Sequence, residues 1–390
     1  MTKSTHQAIA DERNATVEIY INGEFFPRNE AKVSVFDSGF LVGDGIWEGI
    51  RLHHDVFAFL DRHLDRLFAG SAATGIDIGL DRAGVTAALR ETVDRNDMHD
   101  NVHVRLMVTR GDKKTPSQHP SNCIGGPNIV IIAEHKAADP AVRDQGISLF
   151  TATVRRPPPD TLDQKLNCHS KLHEVIALIQ ATNAGADEAL MLDPTGAVAT
   201  CNATNFFIVS KGEIYTATGQ YNLNGITSAL IYEVALADGI PAHRAPFSLT
   251  DVYAADEAFV TGTFGGLTPV HTIDGRTIGD GSQGAMTARL RELYLEAMSA
   301  EVASGGFEAT LSSKVIVGSD AHSPEDLDDE VVDNIEATSE NEETLYEVTI
   351  NGERQEVTLD ELRKGYSRES DYTKKTMELS DKRKDIESLQ

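Results

Sequence analysis

The alternation of apolar and polar positions changes period repeatedly between Thr16 and Ala300, which is the signature of mixed strands and helices. Apolar VEIYI and EFF flank Asn22-Gly23, a pair suited to the positive φ angles of a two-residue hairpin turn, so strand, turn and strand open the first domain. Val56 to Leu60 predicts a short strand. Leu64, Leu67 and Phe68 share one face of a helix over Asp61 to Ala73, with Asp61 as its N-cap. A second helix spans Asp81 to Asn96, and the strands VHVRLMVTRG and NIVIIAEH bracket a polar loop holding Pro116, Pro120 and Pro127. Pro140 to Gly146 is a connector. Strand character resumes at Ile147 (ISLFTATV), followed by a helix from Leu172 to Gly185, a buried strand from Glu188 to Leu192, and the strands FFIVS, GEIYTA and EAFVTG. Helices over Thr227 to Asp238 and Gln283 to Met298 complete a mixed sheet flanked by helices. The pattern is α+β, with an N-terminal α+β domain over residues 15–138 and a second domain over 145–300.

Beyond residue 300 the pattern fades. Residues 301–345 are polar, acidic and poor in large apolar side chains, the composition of a linker that cannot bury a core by itself. Residues 346–390 read as a hairpin, with LYEVTI and EVTL about Asn351-Gly352, leading into a highly charged helix from Leu359 to Gln390.

Charge sharpens this division. Residues 301–390 carry 24 acidic against 10 basic side chains, so the tail holds more than half of the net charge of −26. Such a balance opposes binding to nucleic-acid phosphates and to anionic membranes. No apolar run approaches the roughly eighteen residues of a membrane span, and Met1 to Asn14 has no apolar core, so neither a span nor a secretory leader is expected. Cys123, Cys168 and Cys201 show no metal-binding spacing, which fits a reducing, cytoplasmic setting without disulfide or zinc.

Three ordered blocks carry the chemistry. The first is VFDSGFLVGDGIWEGIR, Val35 to Arg51, with FLDRHLDRL, Phe59 to Leu67. The second is ADEALMLDPTGAVATCNATNFFIV, Ala186 to Val209, with NGITSALI, Asn224 to Ile231; the third is DEAFVTGTFGGLTPV, Asp256 to Val270. In order and spacing they resemble the class IV, pyridoxal-phosphate-dependent aminotransferases of the branched-chain and D-amino-acid types, from about Val17 to Ala300. The resemblance implies the two-domain fold of that family (fold type IV), pyridoxal 5′-phosphate as cofactor, an amino acid and a keto acid as substrates, and a homodimer.

The residues make physical sense for a phosphorylated cofactor. Gly225, Ile226 and Thr227 lie where a loop enters a helix, so free N–H groups and the helix dipole face an anion. By resemblance, Arg66 would pair with the phosphate, Thr263 would close over it, and the N–H groups of Thr263 and Phe264 would face the substrate carboxylate, with Gly262 allowing close approach. Arg51 and Arg105 match substrate-side positions, and His103 stands where relatives use tyrosine; carboxylate binding and plain surface ion pairing are both open for the arginines. For Arg66 taken alone, a solvated helix arginine is the simpler reading, and for GTFGG an ordinary turn.

Two positions depart from the family. Transamination needs a lysine to hold the cofactor aldehyde and to carry a proton. A gapless alignment over DQKLNCHSKLHEV, Asp163 to Val175, puts Asn167 in its place. Lys171 falls where relatives carry a tyrosine beside the cofactor, so a migrated anchor there is the preferred reading; Lys165 and a site without lysine are the alternatives. Thr200 stands where relatives have the glutamate that keeps the pyridine nitrogen protonated, and a hydroxyl supplies no charge. Cys168, His169, Cys201 and Asn202 flank these positions, His169 as a conceivable proton relay.

The expected function is transfer of an amino group from a branched-chain or similar amino acid to 2-oxoglutarate. The alternatives are a lyase resembling aminodeoxychorismate lyase and a catalytically degenerate homologue with an assembly role. Val348 to Glu387 is similar to a short module of phage scaffold and head-assembly proteins, which points to protein association for the tail.

Overall fold

The computed structural model describes residues 4–306, 345–350 and 353–358. Residues 4–306 belong to one compact unit and the hairpin to another. The first sheet is six-stranded and antiparallel, in the order Glu24–Pro27, Glu18–Ile21, Asn128–His135, Val102–Thr109, Gly45–His53 and Val56–Phe57. Leu60–Thr74 and Arg82–Arg95 are its helices, and Leu64, Leu67, Val85, Leu89 and Val93 share a core with Ile50, Leu52, Val104 and Leu106. Asp81 caps the second helix, its side chain accepting from the N–H of Gly84 at 2.7 Å. Asp61 does not cap the first. The N-cap there is Phe59 in the left-handed region, and its N–H donates to the Glu301 carboxylate at 2.9 Å.

The second sheet runs Val198–Cys201, Glu188–Leu192, Ile147–Thr151, Gly266–Ile273, Glu257–Gly262, Asn205–Ser210, Glu213–Thr216 and Ala242–Arg244, with Arg276–Thr277 pairing to Gly266–Ile273. Ile147–Thr151 lies parallel to both of its neighbours and buries Ile147 and Leu149. The expected connector Pro140 to Gly146 contains a short helix, Pro140–Gln145. Helices Leu172–Asn183, Ile226–Ala237 and Ala285–Ala303 cover the sheet. The last of these continues past the expected start of the acidic linker, because Glu301 is buried and holds Phe59.

Leu345–Ile350 pairs antiparallel with Glu353–Thr358, the hairpin expected about Asn351-Gly352. The remainder of the acidic linker, the charged helix expected over Leu359 to Gln390, and the phage-type module of Val348 to Glu387 apart from its hairpin strands lie outside the described residues. Among the described residues no helix is long and apolar enough to cross a membrane, and no cluster of ligating side chains is suited to a metal ion.

Candidate active site

A cavity of about 370 Å³ opens where strands Gly45–His53 and Val102–Thr109 meet the second sheet, a volume that suits a cofactor-sized molecule. At one end is the N-terminus of helix Ile226–Ala237. Its N-cap, Gly225, has no side-chain capping bond, so the first-turn amides at Ile226 and Thr227 remain available to an anion. Glycine is required here by contact: a Cβ at Gly225 would collide with Asn205 Oδ1, and Asn205 is fixed by donating from Nδ2 to the Leu223 carbonyl at 2.9 Å.

Arg66 lines the same end. It donates from Nε and Nη2 to Glu48 at 2.8 and 2.7 Å and from Nη1 to the Asn224 carbonyl at 3.1 Å. Glu48 is fully buried on strand Gly45–His53 and also bonds His63 Nδ1 at 2.7 Å. Burial works to raise the Glu48 pKa, but Arg66 and His63 override it and hold the carboxyl below its ordinary value. The pair ties strand, helix and the loop at Asn224 together, while N–H donors remain on both terminal nitrogens of Arg66 for an anion.

The segment carrying Asn167 is held by main chain to strand Gly45–His53: the Trp47 N–H donates to the Asn167 carbonyl at 2.9 Å, Trp47 Nε1 to the Cys168 carbonyl at 3.1 Å, and the His169 N–H to the Gly45 carbonyl at 2.9 Å. Asn167 is thereby buried in the cavity wall with its Oδ1 unpartnered. Lys171, at the N-cap of helix Leu172–Asn183, also lines the cavity, with Nζ 3.3 Å from Glu174 Oε1. Arg156 Nη1 donates to the same oxygen at 2.7 Å, and both Arg156 and Glu174 are buried. Lys165 is exposed and absent from the lining, its N–H bound to Asp163 at 2.9 Å. His169 packs against Gly39 and Gly45, outside the cavity.

Thr200, on strand Val198–Cys201, lines the cavity and donates from Oγ1 to the Thr204 carbonyl at 2.8 Å. Gly262, Thr263 and Phe264 form the turn between Glu257–Gly262 and Gly266–Ile273 and close another wall. Arg105 and His103 reach it from strand Val102–Thr109, with the Arg105 guanidinium 3.9 Å from the centre of the Trp47 ring. Arg51 does not line the cavity. It lies buried behind Phe264, donates to the Lys136 carbonyl at 2.6 Å, and is held down to about 10 by burial. Burial, then Arg51, Lys136 and Arg105, keeps His103 well below the ordinary histidine value.

The structure therefore gathers Arg66, Asn167, Lys171, Thr200, Gly225, Ile226, Thr227, Gly262, Thr263, Phe264, His103 and Arg105 around one space, and leaves Lys165 and Arg51 out of it. Sequence reading missed Trp47, Glu48, His63, Arg156, Glu174 and His6. Glu48 had a signal, a lone carboxylate in an otherwise apolar run; Arg156 and Glu174 had none, since their pairing joins a loop to a helix. The donor set fits a phosphorylated group: free helix-terminal amides and a guanidinium at one end, an amine along the wall and an unpartnered amide oxygen beside it.

A family model for amino-transferase class IV matches residues 45–273. The chain belongs to the class IV aminotransferases. Branched-chain-amino-acid aminotransferase-like protein 1 of Arabidopsis thaliana is 40% identical over 72% of this chain, although the chain spans only about half (50%) of that relative's length. D-alanine aminotransferase of Listeria innocua is 32% identical over 72% of this chain and 96% of its own length. Among solved structures, the T.th. branched-chain amino acid aminotransferase with pyridoxamine 5′-phosphate aligns over 73% of this chain and 94% of its own, with a TM-score of 0.68 and 32% identity. The same enzyme is also known with N-(5′-phosphopyridoxyl)-L-glutamate, and pyridoxal 5′-phosphate is the cofactor of the family. These relatives favour amino transfer over the lyase alternative.

Proposed function

We propose that this class IV aminotransferase moves an amino group from a branched-chain or similar amino acid to 2-oxoglutarate, with Lys171 in the place of the usual family lysine. The observation that carries the reading is the convergence on one cavity of the Gly225–Thr227 helix terminus, Arg66 and the Lys171 amine. Pyridoxal 5′-phosphate, when bound, supplies an aldehyde and an electron-withdrawing ring that lets an α-proton leave and an amino group change carriers.

Thr227, the amides of its turn and Arg66 would hold the phosphate, with Thr263 closing over it. The amides at Thr263 and Phe264 would receive the α-carboxylate, and Gly262 leaves room for its approach. Lys171 Nζ moves the proton. Glu174 keeps its ion pair with Arg156 when the proton moves from Lys171, so the transfer does not leave a buried carboxylate without a cation. Asn167 cannot bond an aldehyde, and its free Oδ1 accepts a hydrogen bond from a ligand group instead. Thr200 gives its own hydroxyl proton to Thr204, so it offers the ring nitrogen an uncharged lone pair. That weakens the electron sink and slows turnover relative to a carboxylate at this position.

The two-domain division at 15–138 and 145–300, a cytoplasmic location, an assembly role for the tail and a homodimer belong to the same reading. The dimer is supported by a single apolar stripe on helix Leu172–Asn183, where Leu172, Val175, Ile176 and Ile179 are all exposed. The test is incubation with pyridoxal 5′-phosphate, L-leucine and 2-oxoglutarate. Glutamate and the leucine-derived 2-oxo acid should appear in equal amounts; absence of both refutes the activity.

A further inference from the structure

Asn22-Gly23 and Asn224-Gly225 are the Asn-Gly pairs among the described residues, and the fold treats them oppositely. In such a pair the main-chain nitrogen of the glycine can attack the asparagine side chain, because no Cβ on the glycine blocks the approach. Asn22 is locked against this. Its Nδ2 donates to Asn128 Oδ1 at 2.9 Å and its Oδ1 accepts from the Ile129 N–H at 2.7 Å, so the amide cannot swing towards Gly23 without breaking both bonds. Asn224 has no such restraint. It is exposed, its side chain makes no hydrogen bond among the described residues, and its Oδ1 faces Gly219, 2.6 Å from the place a Cβ would occupy there.

Two further features favour ring closure at Asn224. The Gly225 N–H has no acceptor among the described residues and stands at the head of helix Ile226–Ala237, so the positive end of the helix dipole steadies the nitrogen as it gives up its proton. The Asn224 carbonyl belongs to the same peptide bond and accepts from Arg66 Nη1 at 3.1 Å. A guanidinium there draws electrons from the bond and makes its N–H more acidic. Glu48 holds Arg66 in that place, at 2.8 and 2.7 Å from its Nε and Nη2.

We propose that Asn224-Gly225 is a self-modification site, which disables the anion-binding end of the cavity unless an anion is held there. The Gly225 nitrogen bonds to Asn224 Cγ, the Cγ–Nδ2 bond breaks, and the proton of the Gly225 N–H leaves with Nδ2 as ammonia. Water then opens the cyclic imide. Attack at Cγ gives an ordinary aspartate. Attack at the main-chain carbonyl carbon gives a β-linked one, in which the chain runs through the side chain and the oxygen once bonded to Arg66 belongs to a free carboxylate. The sum is amide plus water to carboxylate plus ammonium, with no oxidant or reductant. The β-linked product is the disabling one: its lengthened main chain displaces the amides from Gly225 to Thr227, and its carboxylate takes the Arg66 donors that an anion would use. An anion already on these amides opposes negative charge on the Gly225 nitrogen and slows the closure. The proposal rests on the free helix terminus and not on the reaction carried out in the cavity.

The test is to age the full chain at mildly alkaline pH, in sulfate or in chloride of equal ionic strength, and to map peptides by a method that resolves asparagine, aspartate and β-linked aspartate. In chloride the Asn224 peptide should convert about tenfold faster than the Asn22 peptide, the factor expected from the hydrogen bonds that hold Asn22. Sulfate should slow Asn224 alone, and in denaturant the difference between the peptides should vanish. Asn224→Gln, which would need a larger ring, should stay unconverted. Aged wild type should bind pyridoxal 5′-phosphate about tenfold more weakly than fresh protein, while Asn224→Asp, which keeps the ordinary main chain, should match fresh protein. Repair of the β-linkage by an isoaspartyl methyltransferase should restore the aged protein. Equal rates at both sites in the folded chain, the same difference in denaturant, no protection by sulfate, or undiminished binding after ageing overturns the proposal. Conversion at Asn224 with sulfate protection, in a protein that binds no pyridoxal 5′-phosphate even when fresh, supports the modification site and refutes the aminotransferase reading.

Discussion

At the scale of single residues, the account turns on which side chains face the cavity. Lys171 does and Lys165 does not. Lys171→Ala should abolish the visible absorbance shift that wild type gives with pyridoxal 5′-phosphate, and Lys165→Ala should leave it intact; a spectrophotometric titration of both variants decides this. Glu48 sets a second expectation. Its carboxyl is fully buried and satisfied by Arg66 and His63, so Arg66→Ala strands a charge and should cost about 3–5 kcal/mol in denaturant unfolding. Because the folded pKa of Glu48 lies below 4.5, its contribution is complete above about pH 4.5 and is lost as pH falls through the lower folded value. Acid unfolding of wild type should steepen there, and Arg66→Ala should flatten that limb. The sequence announced the polar residues of the cavity that sit in recognisable blocks. It was silent on Arg156 and Glu174, whose roles arise from a tertiary ion pair, and on His6, which enters the cavity from a segment with no periodic pattern.

At the scale of elements, hairpin and helix signals carried most of the fold. The Asn22-Gly23 turn fell where expected, the strands on either side of Asn351-Gly352 pair, and the helices Leu60–Thr74 and Arg82–Arg95 lie within one or two residues of their expected spans. Two central strands were not legible as strands. Gly45–His53 combines glycine, charge and apolar residues because its side chains serve the cavity as well as the core, and Gly266–Ile273 carries a proline at a sheet position. Asp61 looked like an N-cap by type, but the chain enters that helix through Phe59 and a contact from the far end of the unit. The element that matters most for binding is the terminus of Ile226–Ala237. Gly225→Ala should push Asn205 off the Leu223 carbonyl and lower affinity for pyridoxal 5′-phosphate by about tenfold or more, a cost of the size expected for overpacking, while leaving far-ultraviolet circular dichroism unchanged.

At the scale of the whole molecule, two sheets supply opposite walls of one cavity: phosphate-type donors from a helix terminus and Arg66, cations about Phe264, and the amine of Lys171 with the amide of Asn167. The apolar stripe on helix Leu172–Asn183 borders this cavity through Val175. Ile176→Asp should therefore shift the protein to the mass of a single chain in sedimentation, and should weaken cofactor binding if the second copy also seals the site. The proposed chemistry depends on Lys171 being the residue joined to the cofactor. Borohydride reduction of the protein with pyridoxal 5′-phosphate, followed by peptide mapping, tests that most directly. A phosphopyridoxyl group on Nζ of Lys171 is the predicted result, and a label on Lys165, or none above the level of surface lysines, would contradict it.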